Sequence, residues 1–397
     1  MLNGMMVLDI AQSVAGAFCA RLLADYGAEV IKVEPPTSGD FARHVRPYPA
    51  DTPDLECSSL FLYLNANKKG ITLDLTSSTG QSVFLDLAKR AHVVVATGPQ
   101  SSEDFRTDAR LLLENNPSTV ATFISPFGSA GPYRDWKATE ITLFALSGRM
   151  NTQGHPDREP LKYALNAYQY FAGQMASLPT IAAAMKAKDT GQGEVIDLSI
   201  LDTIVSDVEN EVLSYDYTKE KGVRTVATGR EEYLMGVYPA ADGFVAIHGF
   251  GYGEAWMPRL YKILDRPDMQ DDPKFATREA RVAHIDEFSA ILYSWLTSHG
   301  KLEIAERASE ERYPMAPVYT VADIVNDSAY WESGFLKRIE HPRAGTHVYP
   351  SGVCHTEDKG PKGNPAPLLG QHNEEIYCQR LGLSEHALGD LRRLGAI

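Results

Sequence analysis

Cysteine is scarce in this chain, with four in 397 residues, at Cys19, Cys57, Cys354 and Cys378. They stand far apart, and none forms a CxxC pair or joins a Cys/His cluster. A zinc site of the usual spacing is therefore excluded, and no metal is expected. The eleven histidines show no ligand spacing either; His155, His248, His341 and His372 fall singly in loops. No apolar run reaches the roughly 18 residues that span a bilayer, so no membrane partner is expected. Positive charge is in short supply: 38 Lys and Arg face 52 Asp and Glu, a formal net charge of −14. That balance argues against nucleic acid, while a local basic patch can still hold an anionic cofactor. Met1 to Met5 runs straight into a strand with no secretory pattern, so a reducing cytoplasm with free thiols is expected. There is no internal repeat and no low-complexity tract.

What is present is an ordinary globular composition, 44% hydrophobic and 23% charged, in a chain long enough for two domains. Residues 5–10 form a short apolar run that reads as a buried parallel strand. A helix is predicted over 17–26, closed by Gly27, and a second strand over 29–34, closed by Pro35 and Pro36. This strand–helix–strand unit is the building block of a doubly wound α/β sheet. The pattern recurs with strands at 70–75, 92–96, 120–125 and 194–199 and helices at 80–91 and 171–188. A polar, poorly periodic stretch at 214–232 reads as a linker. Beyond it, Asp242-Gly243 between apolar runs predicts a hairpin over 236–247. Helices are predicted at 255–264 and 284–298. The domain reading is a large domain over 1–213, the linker 214–232, a small α/β domain over 233–327, and a return segment over 328–397.

Four segments are candidates for chemistry. Ala11–Gly16 joins strand one to helix one, where free backbone N–H groups can meet an anion. It lacks GxGxxG, and an ordinary strand-to-helix turn explains it equally. Asn65–Gly70 carries Asn65, Asn67, Lys68 and Lys69 before a strand; lysine suits phosphate and asparagine an adenine edge, and a solvated turn is the plainer reading. Pro126–Trp136 is rich in glycine and aromatics, with Lys137 and Glu140 following. His248–Gly253 has alternate glycines suited to a moving lid, or to a loose hairpin end.

Together these segments resemble class III CoA-transferases, the CaiB/BaiF family, over almost the whole chain. The resemblance is carried by Val7–Pro35, Leu64–Leu75, Phe127–Asp135, Ala145–Gly148, Gly191–Ser199, Asp271–Phe275, Ala316–Tyr319 and Leu368–His372. It implies a Rossmann-like large domain built from both chain ends, a smaller α/β domain, and an interlocked dimer. It implies coenzyme A or acyl-CoA as substrate rather than permanent cofactor, with a carboxylic acid as the other partner. Carried onto this sequence, it implies cofactor contacts at Gln12, Ser13, Val14, Ala15, Asn65, Asn67, Lys68, Lys69, Arg106, Lys137, Gly249 and Gly251.

In that family an Asp attacks the acyl-CoA donor and forms a mixed anhydride. CoA thiolate then makes an aspartyl-CoA thioester, which the acceptor acid attacks. The Asp stands four residues before a glycine, here Gly173, and Gln169 occupies its place. An amide is a very poor nucleophile. The family's Asn-Phe-x-Pro-Gly stretch, which helps hold CoA, here reads Ala96-Thr-Gly-Pro-Gln-Ser101. Thr139 stands where the racemase branch has a histidine. The aromatic residues near Gln169 (Tyr163, Tyr168, Tyr170 and Phe171) suit a bulky acyl group or a packed core. Three readings follow. The chain is the non-catalytic subunit of a heteromeric transferase, paired with a paralogue, of the benzylsuccinate CoA-transferase type. Alternatively it is an isomerase- or lyase-like enzyme with Glu140 as acid or base, or an acyl-CoA binding protein without turnover.

Overall fold

The computed structural model describes residues 1–397 apart from 102, 208–210, 225–233, 250–253, 353 and 355–362, and the side chain of 254. The chain divides into two units. One comprises 1–151, 161–222 and 328–397, the other 152–160 and 223–327.

The first unit holds a six-stranded sheet in the order β3-β2-β1-β4-β5-β6. Its strands are β1 Met6–Asp9, β2 Glu29–Glu34, β3 Lys69–Thr72, β4 Val93–Thr97, β5 Val120–Ser125 and β6 Val195–Ser199. Every pairing is parallel; Val7 stands opposite Val30 on one side and Val93 on the other. This is the doubly wound order, and its direction reverses between β1 and β4. Helices cover both faces, so the central strands are largely apolar rather than alternating, with Asp9 and Lys32 as buried exceptions. On one face Val7, Val30, Val93 and Ile124 pack with α1 (Val14–Asp25) and α6 (Ala167–Thr190). On the other, Leu8, Ile31, Val94 and Phe123 pack with α3 (Ser78–Ala88) and α4 (Ala109–Asn115). The same unit contains α2 (Ser59–Asn65), α5 (Glu140–Leu146), α7 (Ile200–Ser206) and α8 (Glu211–Thr218). Helix α8 corrects the linker expectation in part, since 214–218 is helical.

The second unit is a three-stranded antiparallel sheet of β7 (Met235–Ala240), β8 (Gly243–His248) and β9 (Met315–Pro317). It packs on α9 (Met257–Ile263), α11 (Ile285–Ser298) and α12 (Lys301–Glu310) through Val245, Ile247, Leu260, Phe288, Leu292 and Ile304, and α10 (Arg278–Ala283) precedes α11. After α13 (Val321–Asn326) the chain re-enters the first unit with α14 (Ser328–Glu332), a hairpin of β10 (Leu336–His341) and β11 (Gly345–Pro350), and α15 (Glu385–Arg393). This return is stitched to β3. The Tyr377 hydroxyl donates to Thr72 O at 2.7 Å, and Gly70 N–H donates to His372 Nδ1 at 3.0 Å.

Candidate functional site

Ligands of doubly wound sheets bind outside the carboxyl ends of the strands, at the point where strand order reverses. Here that point lies between the ends of β1 and β4. Thr97, the last residue of β4, accepts the Gln12 backbone N–H at 3.0 Å on Oγ1, and the Ser13 hydroxyl lies 2.9 Å from the same oxygen. Ser13 caps α1, accepting from Gly16 N–H at 3.2 Å. The helix therefore begins at Val14, three residues before the predicted start, and Val14 and Ala15 are buried in its first turn. Gln12 accepts from Phe41 N–H at 3.4 Å. Gln12 and Ser13 are thus brought together with Thr97 at the end of β4, which no single-segment reading could show.

Beneath this loop lies a buried charge network. Asp9 accepts Ala11 N–H at 3.0 Å and pairs with Lys68 at 2.8 Å; Lys32 pairs with Asp40 at 2.7 Å and donates to Ala11 O. Lys68 also donates to Ala17 O at 2.8 Å and to Asn65 Oδ1 at 2.9 Å. Burial works against the Asp9 carboxylate, but Lys32 and Lys68 together hold its pKa below the ordinary value. Burial also pulls the Lys68 ammonium down to about 8, against the attraction of Asp9. Asn65 and Lys68 are 0% and 4% exposed. This corrects their reading as cofactor contacts: they hold the start of α1 from inside the core. Asn67, at φ +67°, bonds Asp25 at 2.6 Å and Asn364 N–H at 2.8 Å, and Lys69 pairs with Glu29 and Glu375. Charged residues inside apolar strands, Asp9 and Lys32, were the sequence signal for this network.

Residue 169 sits in the first turn of α6. Helix α6 starts at Ala167, four residues before the predicted start, and its N-cap Asn166 makes no side-chain bond. The cap comes from another element. Glu140, first residue of α5, accepts Tyr168 N–H at 2.9 Å on Oε1. Burial raises the Glu140 pKa, outweighing the Tyr168 N–H, the Lys162 charge and the nearby Gln169 amides, which favour the charged form. Its other oxygen, Oε2, is buried without a hydrogen-bond partner among the described residues. One turn beyond Gln169, a Cβ on Gly173 would lie 2.5 Å from Ala15 O and 3.2 Å from Cys19 N. Gly173 thus lets α6 cross α1 at close range, and Gln169 shares that face.

Of the aromatic residues around Gln169, Tyr168 is buried, Tyr170 and Phe171 are half-buried and Tyr163 is exposed. Tyr168 is buried, stacks on Tyr163 with centroids 5.8 Å apart, and donates to Asp207 at 2.7 Å. Tyr170 packs edge-on to Phe18 at 5.0 Å and Tyr63 at 5.9 Å. Tyr168 and Tyr170 thus pack against these neighbours.

A cavity of about 880 Å³ opens beyond the end of β4, lined by Thr97–Ser101 and by charged side chains. Four of these are acidic (Glu103, Asp104, Asp108 and Asp135) and two are basic (Arg110 and Arg134). Arg106 is taken by Asp104 through bonds of 3.0 and 2.6 Å. Arg134 donates to Gln100 O at 3.0 Å. Lys137 is exposed. Gly249 lies in the second unit, where a Cβ would meet the Tyr313 hydroxyl at 2.3 Å; Gly251 is outside the described residues. Among the described residues no cluster fits a metal ion, and no helix is long and apolar enough to cross a membrane.

Residues 2–373 match the model of CoA-transferase family III. The chain is 29% identical to the succinyl-CoA–D-citramalate CoA-transferase of Chloroflexus aurantiacus, over 98% of this chain and 96% of that protein. It is 29% identical to the formyl-CoA:oxalate CoA-transferase of Streptomyces avermitilis (100% and 99%), and 29% identical to the succinyl-CoA:mesaconate CoA-transferase of Haloarcula marismortui (94% and 95%). In fold it is similar to the crystal structure of a CaiB/BaiF family protein from Brucella suis, with a TM-score of 0.83 and 24% identity over 95% of this chain and 98% of that one. With its sheet order, its two crossing helices and a match over nearly its full length, the chain belongs to CoA-transferase family III.

Proposed function

We propose that this chain is the non-catalytic member of a two-chain CoA-transferase that moves CoA from succinyl-CoA to a second dicarboxylic acid. The observation that carries this reading is Gln169. A carboxamide offers no anionic oxygen to attack a thioester and cannot form the covalent intermediate on which such transfer depends. Two features support it. Glu140, beside Gln169, caps α6 with one oxygen and buries the other, so it is no ready substitute. The cavity after β4 carries more carboxylates than guanidinium groups, an unfavourable lining for the polyphosphate end of CoA. The substrate class follows the relatives, whose names give succinyl-CoA with D-citramalate or mesaconate, and formyl-CoA with oxalate. All of these acceptors are dicarboxylic acids, as an aryl-succinate is.

The test is a transfer assay with succinyl-CoA and D-citramalate, mesaconate or benzylsuccinate. The purified chain is assayed alone and co-purified with a paralogue that keeps the Asp. Turnover is expected only with the paralogue. Turnover by the chain alone sinks the proposal and returns attention to Glu140.

A further inference from the structure

We infer that a small-oxyanion site lies at the amino-terminal edge of the six-stranded sheet, at the opposite end of the strands from Thr97. A cavity of about 410 Å³ opens there, where β1 and β2 begin and just ahead of β4. Asn3, Glu29, Arg90, His92 and Arg380 contribute to its lining.

The charges at this edge do not cancel. Arg380 pairs with Glu29 at 2.6 Å, and Lys69 bridges Glu29, at 2.7 Å, to Glu375. That cluster has two cations and two carboxylates and is neutral. Arg90 is the cation left over; it has no carboxylate partner among the described residues. Its guanidinium is nonetheless held in place, because Nη1 donates to Arg380 O. The bond uses one donor and leaves the rest of the fork, which suits phosphate or carboxylate geometry.

His92 adds a neutral donor. Met6 N–H donates to His92 Nδ1 at 3.0 Å, so that nitrogen is unprotonated and the hydrogen belongs on Nε2. The strand backbone thus fixes the tautomer that presents an N–H. The Asn3 carboxamide joins them: it packs against Gly27, where a Cβ would lie 2.7 Å from Asn3 Oδ1, and Gly27 takes φ +102°. A held guanidinium, an imidazole N–H and a carboxamide around one cavity form a cationic recess on a chain of net charge −14. Its ligand class is a small phosphate or carboxylate. The site stands independently of the proposed role of Gln169.

The test titrates the full-length chain with orthophosphate and, separately, with succinate at constant ionic strength, following the His92 ring resonances and the melting temperature. At least one of the two anions is expected to move the His92 resonances and raise the melting temperature; which one does so separates phosphate from carboxylate. Arg90→Gln keeps a donor for Arg380 O but removes the charge, and is expected to weaken that binding at least tenfold. His92→Phe is expected to weaken it as well. The inference is overturned if neither anion binds, if Arg90→Gln binds as the parent does, or if the resonances that move belong to Thr97–Ser101.

Discussion

Glu140 caps a helix that begins 27 positions later in the chain, and its protonation is set by burial. Glu140→Gln keeps an oxygen for Tyr168 N–H and removes the buried charge. Glu140→Ala leaves that N–H without its acceptor and is expected to cost about 1–2 kcal/mol in urea denaturation, whereas the Gln variant stays near the parent. The folded pKa of Glu140 is raised above its ordinary value of 4.5, so between 4.5 and that folded value the native chain binds more protons than the unfolded one. Glu140 therefore contributes stability below pH 4.5 that is lost as pH rises through its folded pKa, and Glu140→Gln removes this slope.

Lys68 behaves in the opposite sense. Its folded value of about 8 lies below the ordinary 10.5, so its contribution to stability rises between pH 8 and 10.5 and is lost as pH falls through 8. Lys68→Met leaves Asp9 with Lys32 alone, at 3.6 Å, and is expected to cost about 3–5 kcal/mol at pH 7. The same variant should lose the alkaline slope. A Lys68→Met protein as stable as the parent would contradict the positioning role given to this network.

At the scale of elements, the crossing of α1 and α6 sets the site. Gly173→Ala places a methyl group 2.5 Å from Ala15 O, and separation of the helices is expected to cost about 1–3 kcal/mol, read as a lower urea midpoint with an unchanged slope. Most of the sheet is legible in the sequence. The strands at 29–34 and 120–125 match the sequence reading to their ends, because short segments rich in β-branched residues and closed by proline have few alternatives. Two helices, α1 and α6, begin earlier than their apolar patterns predict. Ser13 is a visible cap, but Val14–Gly16 looked like a loop. The start of α6 was hidden because its acceptor, Glu140, belongs to α5. Short-range pattern cannot report a cap supplied from another element. The same limit explains Lys68, whose partner Asp9 lies 59 positions away; a lysine in a polar turn reads as solvated until the fold closes over it. The joining of Gln12 and Ser13 to Thr97 was likewise invisible, although each loop had been singled out.

At the scale of the whole molecule, the chain has the fold of its family, with a six-stranded parallel sheet in doubly wound order. In the function proposed above, the neutral amide of Gln169 stands at the nucleophile position, and the cavity beyond β4 is lined by more acid than base. Gln169→Asp alone is therefore expected not to restore full transfer. It supplies the oxygen, but beside Glu140 and with the acidic lining intact. Wild-type-like transfer by the Gln169→Asp chain without a paralogue would contradict this. The most direct measurement is intact mass spectrometry of the purified chain, alone and co-purified with an Asp-bearing paralogue, after incubation with succinyl-CoA. The account predicts that this chain stays at its unmodified mass in both cases, with any covalent acyl or CoA adduct on the paralogue. An adduct on this chain, mapped by peptide sequencing to Glu140 or any other residue, would show that it supplies its own nucleophile and would overturn the supporting role.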